Sequence, residues 1–137
     1  MSPACISSPF GIRRLVGPHA ALFHNGIDFP APAGAWVHAA AAGNVVAVRR
    51  LGSSGLEIDL LHPPAPGAAA GYLTRYAHLG IVAPAIANGR REVPAGGVIG
   101  RVGRTGITYG THVHLELHLA GQAVDPEPFF HISRCSR

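Results

Sequence analysis

Thr111-His112-Val113-His114-Leu115-Glu116 is the stretch that decides the fold of this chain. On a β-strand successive side chains point to opposite faces, so His112, His114 and Glu116 share one face while Val113, Leu115 and Leu117 share the other. One face is polar and chemical; the other is core. Two histidines one strand repeat apart, about 6 to 7 Å between Cα atoms, either converge on one ion or divide the work, one binding it while the other faces what it holds. A lone His-x-His settles neither alternative, so further ligands must come from elsewhere in the chain.

At 137 residues the chain has room for one well-packed domain and not for two, and we expect a single domain over 1–137 with a core of about 10–128. With 18 Gly, 12 Pro and 47% hydrophobic residues, apolar surface is plentiful and turns are frequent, which favours many short strands over long helices. All 11 basic residues are arginine against 7 acidic ones, giving a net charge of +4, which suits an anionic partner such as nucleic acid, a membrane surface or a charged cell wall. The arginines gather only as pairs, at 13–14, 49–50 and 90–91, without the concentrated basic stripe and stacking aromatics of a nucleic-acid module, so no nucleic-acid partner is expected. Nor does any segment combine the basic start and apolar run of a signal peptide or reach the roughly 18 to 20 apolar residues of a membrane span. We expect no stable membrane insertion.

The two cysteines, Cys5 and Cys135, sit near opposite ends. Either they pair, closing a loop whose stabilisation the chain-entropy model puts at about 4 to 5 kcal/mol and implying an oxidising compartment, or they are two unrelated thiols.

In chain order, residues 1–10 read as a small, polar arm. His24-Asn25-Gly26-Ile27-Asp28-Phe29-Pro30 follows; Gly26 and Pro30 argue against a helix, and in an extended segment His24 and Asp28 share a face. Strands are expected at 36–39, 43–48, 72–79 and 98–103, with 56–61 as a half-exposed strand whose acidic Glu57 and Asp59 alternate with apolar residues. Irregular stretches at 63–71 and 83–97 are the expected groove walls, because loops on a rigid sheet usually carry specificity.

These pieces together resemble the lysostaphin/LytM-like zinc metallopeptidases, which cleave cross-links and stems of bacterial peptidoglycan. The stretches that carry the resemblance are Phe10-Gly11-Ile12-Arg13, His24-Asn25-Gly26-Ile27-Asp28-Phe29, Gly43-Asn44-Val45-Val46 and Tyr76-Ala77-His78-Leu79. They continue with Gly97-Val98-Ile99-Gly100, Val102-Gly103-Arg104-Thr105-Gly106, Gly110-Thr111-His112-Val113-His114-Leu115-Glu116 and Val124-Asp125-Pro126. The resemblance implies an all-β, LytM-like antiparallel domain of two packed sheets with a substrate groove and little or no helix. It implies His24, Asp28 and His114 as the ligands of one zinc per chain, and His78 and His112 as catalytic histidines that do not bind it. It also implies a peptidoglycan peptide as substrate, a periplasmic or extracellular location and a monomeric state.

The chemistry of that residue set is consistent. Two neutral imidazoles and one carboxylate leave zinc about one unit of positive charge and an open fourth position, as in catalytic rather than structural sites. Zinc can lower the pKa of water from about 15.7 to about 7 and polarise a carbonyl oxygen, leaving proton transfer and oxyanion stabilisation to the two other histidines. Which of His78 and His112 does which stays open. Glu116 either orients a ligand or is simply exposed, and His19, His38, His62, His118 and His131 are expected to be structural or surface groups.

Two departures bear on substrate. Several relatives carry Gly-Tyr-Gly where this chain has Gly52-Ser53-Ser54-Gly55, and the staphylolytic members place a tyrosine shortly before the first ligand, where residues 15–23 have none. A directly linked stem such as D-alanine to meso-diaminopimelate is therefore expected rather than a glycine-rich bridge. The alternative function is a non-catalytic binder or activator of wall amidases with the same fold. A purely structural zinc domain would need a fourth protein ligand, and no cysteine lies near these motifs.

Overall fold

Short apolar runs punctuated by Gly and Pro turns fold as strands throughout a computed structural model that describes residues 5–12, 23–51, 55–103, 111–130 and 132–135. Expectations for residues 15–22 (His19 among them), Arg13, Ser53-Ser54, Arg104-Thr105-Gly106, Gly110 and His131 lie outside the described residues. In order come β1 (Gly11–Ile12), β2 (Phe23–His24), β3 (Ile27–Pro30), β4 (Trp36–His38), β5 (Gly43–Leu51) and β6 (Gly55–His62). Then follow β7 (Tyr72–Val82), β8 (Glu92–Val93), β9 (Val98–Val102), β10 (His112–Leu119) and β11 (Gln122–Val124). A single helical turn, α1 (Pro84–Ala87), and a 3-10 turn at Glu127–Phe129 are the only helical elements among the described residues. The all-β architecture is as expected, in two antiparallel sheets of unequal size, one of nine strands and one of two.

The large sheet is built around β7 and β10. β10 pairs with β7 along one edge and with β3 and then β11 along the other, while β7 passes from β10 to β9 as it lengthens. The alternation in β10 is realised: Val113, Leu115 and Leu117 are buried, and His112, His114, Glu116 and His118 are intermediate. Across the ladder Leu115 faces Ile27 and Tyr76, and Leu117 faces Thr74, so one sheet face is continuous core with Ile58, Leu60 and Leu79 fully enclosed. Each such aliphatic side chain contributes about 1.5–3 kcal/mol by leaving water.

The second face carries charge, and here β6 departs from expectation. It is not half exposed: Glu57 is 2% and Asp59 4% exposed. The flanking strands explain this, because Arg49 on β5 lies opposite Glu57 and Arg75 on β7 lies opposite both Asp59 and Glu116. Arg49 bonds both Glu57 and Asp59, the latter at 2.7 Å, and Arg75 Nε donates to Asp59 Oδ1 at 2.8 Å. Alternating charges thus cross β5, β6, β7 and β10 toward His114, each buried carboxylate facing a guanidinium as burial of charge requires.

The loop at 63–71 is also not where a groove wall would be. It precedes Tyr72, six residues before His78 on β7, which puts its end about 20 Å from that histidine along the strand. The terminal cysteines are paired: Cys5 and Cys135 form a disulfide with a Cα separation of 4.9 Å. Around it Ile6 N–H donates to Ser133 O and Cys135 N–H to Ile6 O.

Candidate metal centre

Register brings the first two candidate ligands together. Asp28 on β3 and His114 on β10 are direct cross-strand partners, a relation that sets Cβ atoms about 4.5–5.5 Å apart on one face; His114 Nδ1 lies 2.8 Å from Asp28 Oδ1. His24 reaches the same point by a route the sequence left open, neither a helix nor one extended strand. The chain bends at Asn25-Gly26 between β2 and β3, and a Cβ at Gly26 would stand 2.2 Å from the Leu115 carbonyl oxygen, so only glycine lets the bend lie flat on β10. As a result His24 Nε2 sits 3.1 Å from His114 Nδ1 and 3.3 Å from Asp28 Oδ1. Tetrahedral zinc with bonds of about 2.0–2.1 Å spaces its ligands about 3.3 Å apart, so these three atoms could hold such an ion.

Partners fix which nitrogen is available. The Pro9 carbonyl oxygen, 2.9 Å from His24 Nδ1, can only accept, so Nδ1 carries the hydrogen and the Nε2 lone pair faces the trio. Glu116 Oε2 lies 2.9 Å from His114 Nε2, which therefore donates to it and leaves Nδ1 inward. Glu116 is in turn held through Oε1 by His118 Nε2 at 2.7 Å and by Arg75 at 3.3 Å. Of the two readings of Glu116, the structure supports the orienting one.

His78 and His112 lie beside the trio. Their ring centroids are 4.8 Å apart in an edge-on arrangement, and His112 Nε2 is 3.8 Å from Asp28 Oδ1. In a regular strand His78 would point with Thr74 and Tyr76 to the core face. Instead Leu56 pairs with Leu79 and Ile58 with Tyr76, so Ala77 and His78 together oppose Glu57 in a β-bulge, and His78 takes a left-handed φ of 63°. That conformation costs of order 1–3 kcal/mol in a non-glycine residue and concentrates at functional sites. The bulge is held from outside: Gly103 N–H donates to His78 O, and a Cβ at Gly103 would fall 2.4 Å from Gly80 Cα.

Residues 22–126 match peptidase family M23. The chain belongs to this family. Over 121 residues it is 40% identical to the DD-carboxypeptidase/endopeptidase Mpg of Neisseria meningitidis, covering 88% of this chain and 26% of that protein. A zinc-containing peptidase from Vibrio cholerae superposes with a TM-score of 0.74 at 29% identity, over 91% of this chain and 36% of that one. Lysostaphin from Staphylococcus simulans superposes with a TM-score of 0.71 at 25% identity, over 92% and 48%. The chain thus spans about a quarter of the length of the curated relatives it matches. The resemblance drawn from the motifs is that of an M23 peptidase.

Electrostatics of this M23 site favour a cation. Burial raises the Asp28 carboxyl, yet hydrogen bonds and charge from His114 and His24 overcome it and hold the group well below the ordinary carboxylate range. Burial likewise depresses His114, but Asp28 and Glu116 outweigh it and push the imidazole up to about 9. Glu116, raised by burial and lowered more strongly by His114, His118 and Arg75, falls to about 2. Two ionised carboxylates therefore bracket His114, and positive charge between them is stabilised.

The remaining described histidines divide. His38 bonds the Gly96 carbonyl at the surface, His62 is buried in a neutral setting, and His118 braces Glu116. The parts that sequence reasoning missed are Ser8, Pro9, Arg75 and His118 as supports. His118 lies on the even face of β10, a visible signal; the arm at Ser8-Pro9 has no periodicity that would reveal it.

Proposed function

We propose that this chain is a zinc-dependent endopeptidase that hydrolyses peptide bonds in bacterial peptidoglycan stems or cross-links. It acts as one peptidase domain over 1–137, with one zinc per chain, in the periplasm or outside the cell. The observation that carries this is the convergence of His24 Nε2, Asp28 Oδ1 and His114 Nδ1 within 3.3 Å of one another, beside the separate pair His78 and His112. Zinc, when bound, supplies Lewis acidity for a peptide carbonyl and acidifies water near neutral pH.

The chain supplies the rest. Pro9 and Glu116 fix the rings so that His24 Nε2 and His114 Nδ1 face the trio, and an ion that displaces the inward proton of His114 is held with no reorientation of either ring. Of His78 and His112, one takes the proton of the attacking water and later gives it to the leaving amine, while the other donates a hydrogen bond to the developing oxyanion. Placement of His78 by a pinned bulge gives it the fixed aim that such stabilisation requires.

Substrate follows from two supports. Mpg is a DD-carboxypeptidase/endopeptidase at 40% identity, and residues 15–23 lack the tyrosine that staphylolytic members place shortly before the first ligand. The bond proposed is D-alanine to meso-diaminopimelate in a direct cross-link. Zinc-loaded protein incubated with sacculi of several chemotypes, with products read by mass spectrometry, is expected to convert cross-linked dimers into monomers in diaminopimelate walls. Release of no muropeptide from any chemotype would overturn hydrolysis and favour the amidase-activator alternative; cleavage confined to glycine bridges would overturn the bond assignment.

A further inference from the structure

The N-terminal arm touches both ligands that precede the middle of the chain. Ser7 N–H donates to the Asp28 carbonyl at 2.8 Å, Asp28 N–H to the Ser8 carbonyl at 3.0 Å, and Ser7 Oγ also reaches the Asp28 carbonyl. One residue on, Pro9 O receives the His24 Nδ1 hydrogen and Ser8 Oγ stands 3.3 Å from the same nitrogen. The arm thus forms a single antiparallel bridge to β3, at Ser8 and Asp28, and reaches on to His24. At its start it bridges in parallel to Arg134 through Ile6, a residue 2% exposed, and is tied covalently to residue 135 by Cys5.

An arm of five residues anchored by four backbone bonds, two of them at its Ile6 end beside the disulfide, and by one buried side chain has little to hold it over the metal centre, since fixing each residue costs about 1–2 kcal/mol of backbone entropy. Tying its far end removes most of that freedom in advance. We propose that residues 5–9 are a positioning arm for the metal centre and that the Cys5–Cys135 disulfide holds them in place, so that oxidation of the two thiols raises the affinity of the His24-Asp28-His114 trio for its metal ion. The proposal rests on the metal-centre reading above. Oxidation here is thiol–disulfide exchange: an external disulfide accepts two electrons and leaves as two thiols while the Cys5 and Cys135 sulfurs, each losing its hydrogen, join. Linkage makes the coupling reciprocal, so bound metal resists reduction of the bridge by the same factor.

The first measurement uses the native, oxidised, metal-free protein: long-range nitrogen–proton NMR of the His24 ring. Protonation at Nδ1 is expected; the Nε2 tautomer would overturn the arm's role directly. The second is zinc affinity by competition with a chromophoric chelator, for the oxidised protein and for the Cys5→Ser, Cys135→Ser double variant. We expect the double variant to bind zinc at least tenfold more weakly and its His24 ring to populate both tautomers. Equal affinity and an unchanged tautomer would overturn the proposal, whereas failure of the oxidised wild type to bind zinc would overturn the metal-centre reading instead. Should the double variant prove unfolded by circular dichroism, the native tautomer and the affinity of Ser7→Pro, which loses the N–H to Asp28 with the bridge intact, decide the matter. Ser7→Pro is expected to lose about tenfold in affinity, and no loss would overturn the arm's role.

Discussion

His114 and His62 are both held inside the same sheet, and their surroundings drive them apart. His114 lies between the carboxylates of Asp28 and Glu116, which outweigh burial and push it up to about 9. Among the described residues His62, 2% exposed, is bonded to neutral groups, the Ala42 carbonyl at 2.8 Å and the Thr74 hydroxyl at 2.6 Å, and stacks on the Tyr72 ring. Its burial lowers the imidazole, and the Ala42 bond offsets this only in part. Burial alone therefore does not mark a functional histidine; the charge of the neighbours does. A site that stabilises positive charge is one a divalent cation can occupy, and one that stabilises the neutral ring is scaffold.

The largest effect expected from this contrast is that of His114→Ala. Elemental analysis should show zinc falling from one per chain to none and sacculus hydrolysis disappearing with it; retention of stoichiometric zinc would break the contrast. His112→Ala comes next, keeping its zinc while hydrolysis drops about 10²–10⁴-fold, the usual contribution of general acid–base groups. Full activity in that variant would remove His112 from the chemistry. Glu116→Ala strips the acceptor from His114 Nε2, and zinc affinity by chelator competition should weaken about 10–100-fold; an unchanged affinity would mean that Asp28 alone sets the character of His114.

The smallest effect belongs to His62→Gln, which should leave zinc content and hydrolysis as they are and cost about 1–2 kcal/mol through disturbed buried hydrogen bonds. Its pH signature is distinctive. Because the folded-state pKa of His62 is lowered below the unfolded value of about 6.5, neutral His62 contributes stability that is fully present above about pH 6.5 and is lost as pH falls through the folded value. Urea midpoints measured from pH 7.5 down to 5 should accordingly fall more steeply for wild type than for His62→Gln. Parallel curves would show that His62 is not held neutral. The metal-centre groups are common to both proteins and cancel in the difference.

Much of the site was legible in the sequence. Alternation in 112–117 placed His112, His114 and Glu116 on one face, and Gly26 inside the His24-to-Asp28 segment excluded a helix; both are local properties carried by residues a few positions apart. Less was legible for β6, where alternating acidic residues imitate an exposed face. Glu57 and Asp59 are buried because Arg49 and Arg75 arrive from other strands, and nothing within 56–61 announces those partners.

The amino-acid sequence by itself determined the all-β class and the M23 motif set, since strand periodicity and turn residues are written in short windows, and the resemblance carried by those motifs named the candidate ligands. Only the tertiary structure decided that His78 leaves the core face for the His112 side, that the terminal cysteines join, that Pro9 and Glu116 fix which nitrogens of His24 and His114 face the candidate site, and that His62 is held in neutral surroundings. Each of these depends on which strand lies opposite which, and at what register. Cross-strand pairing over tens of residues is a collective outcome of packing, so no local window contains it.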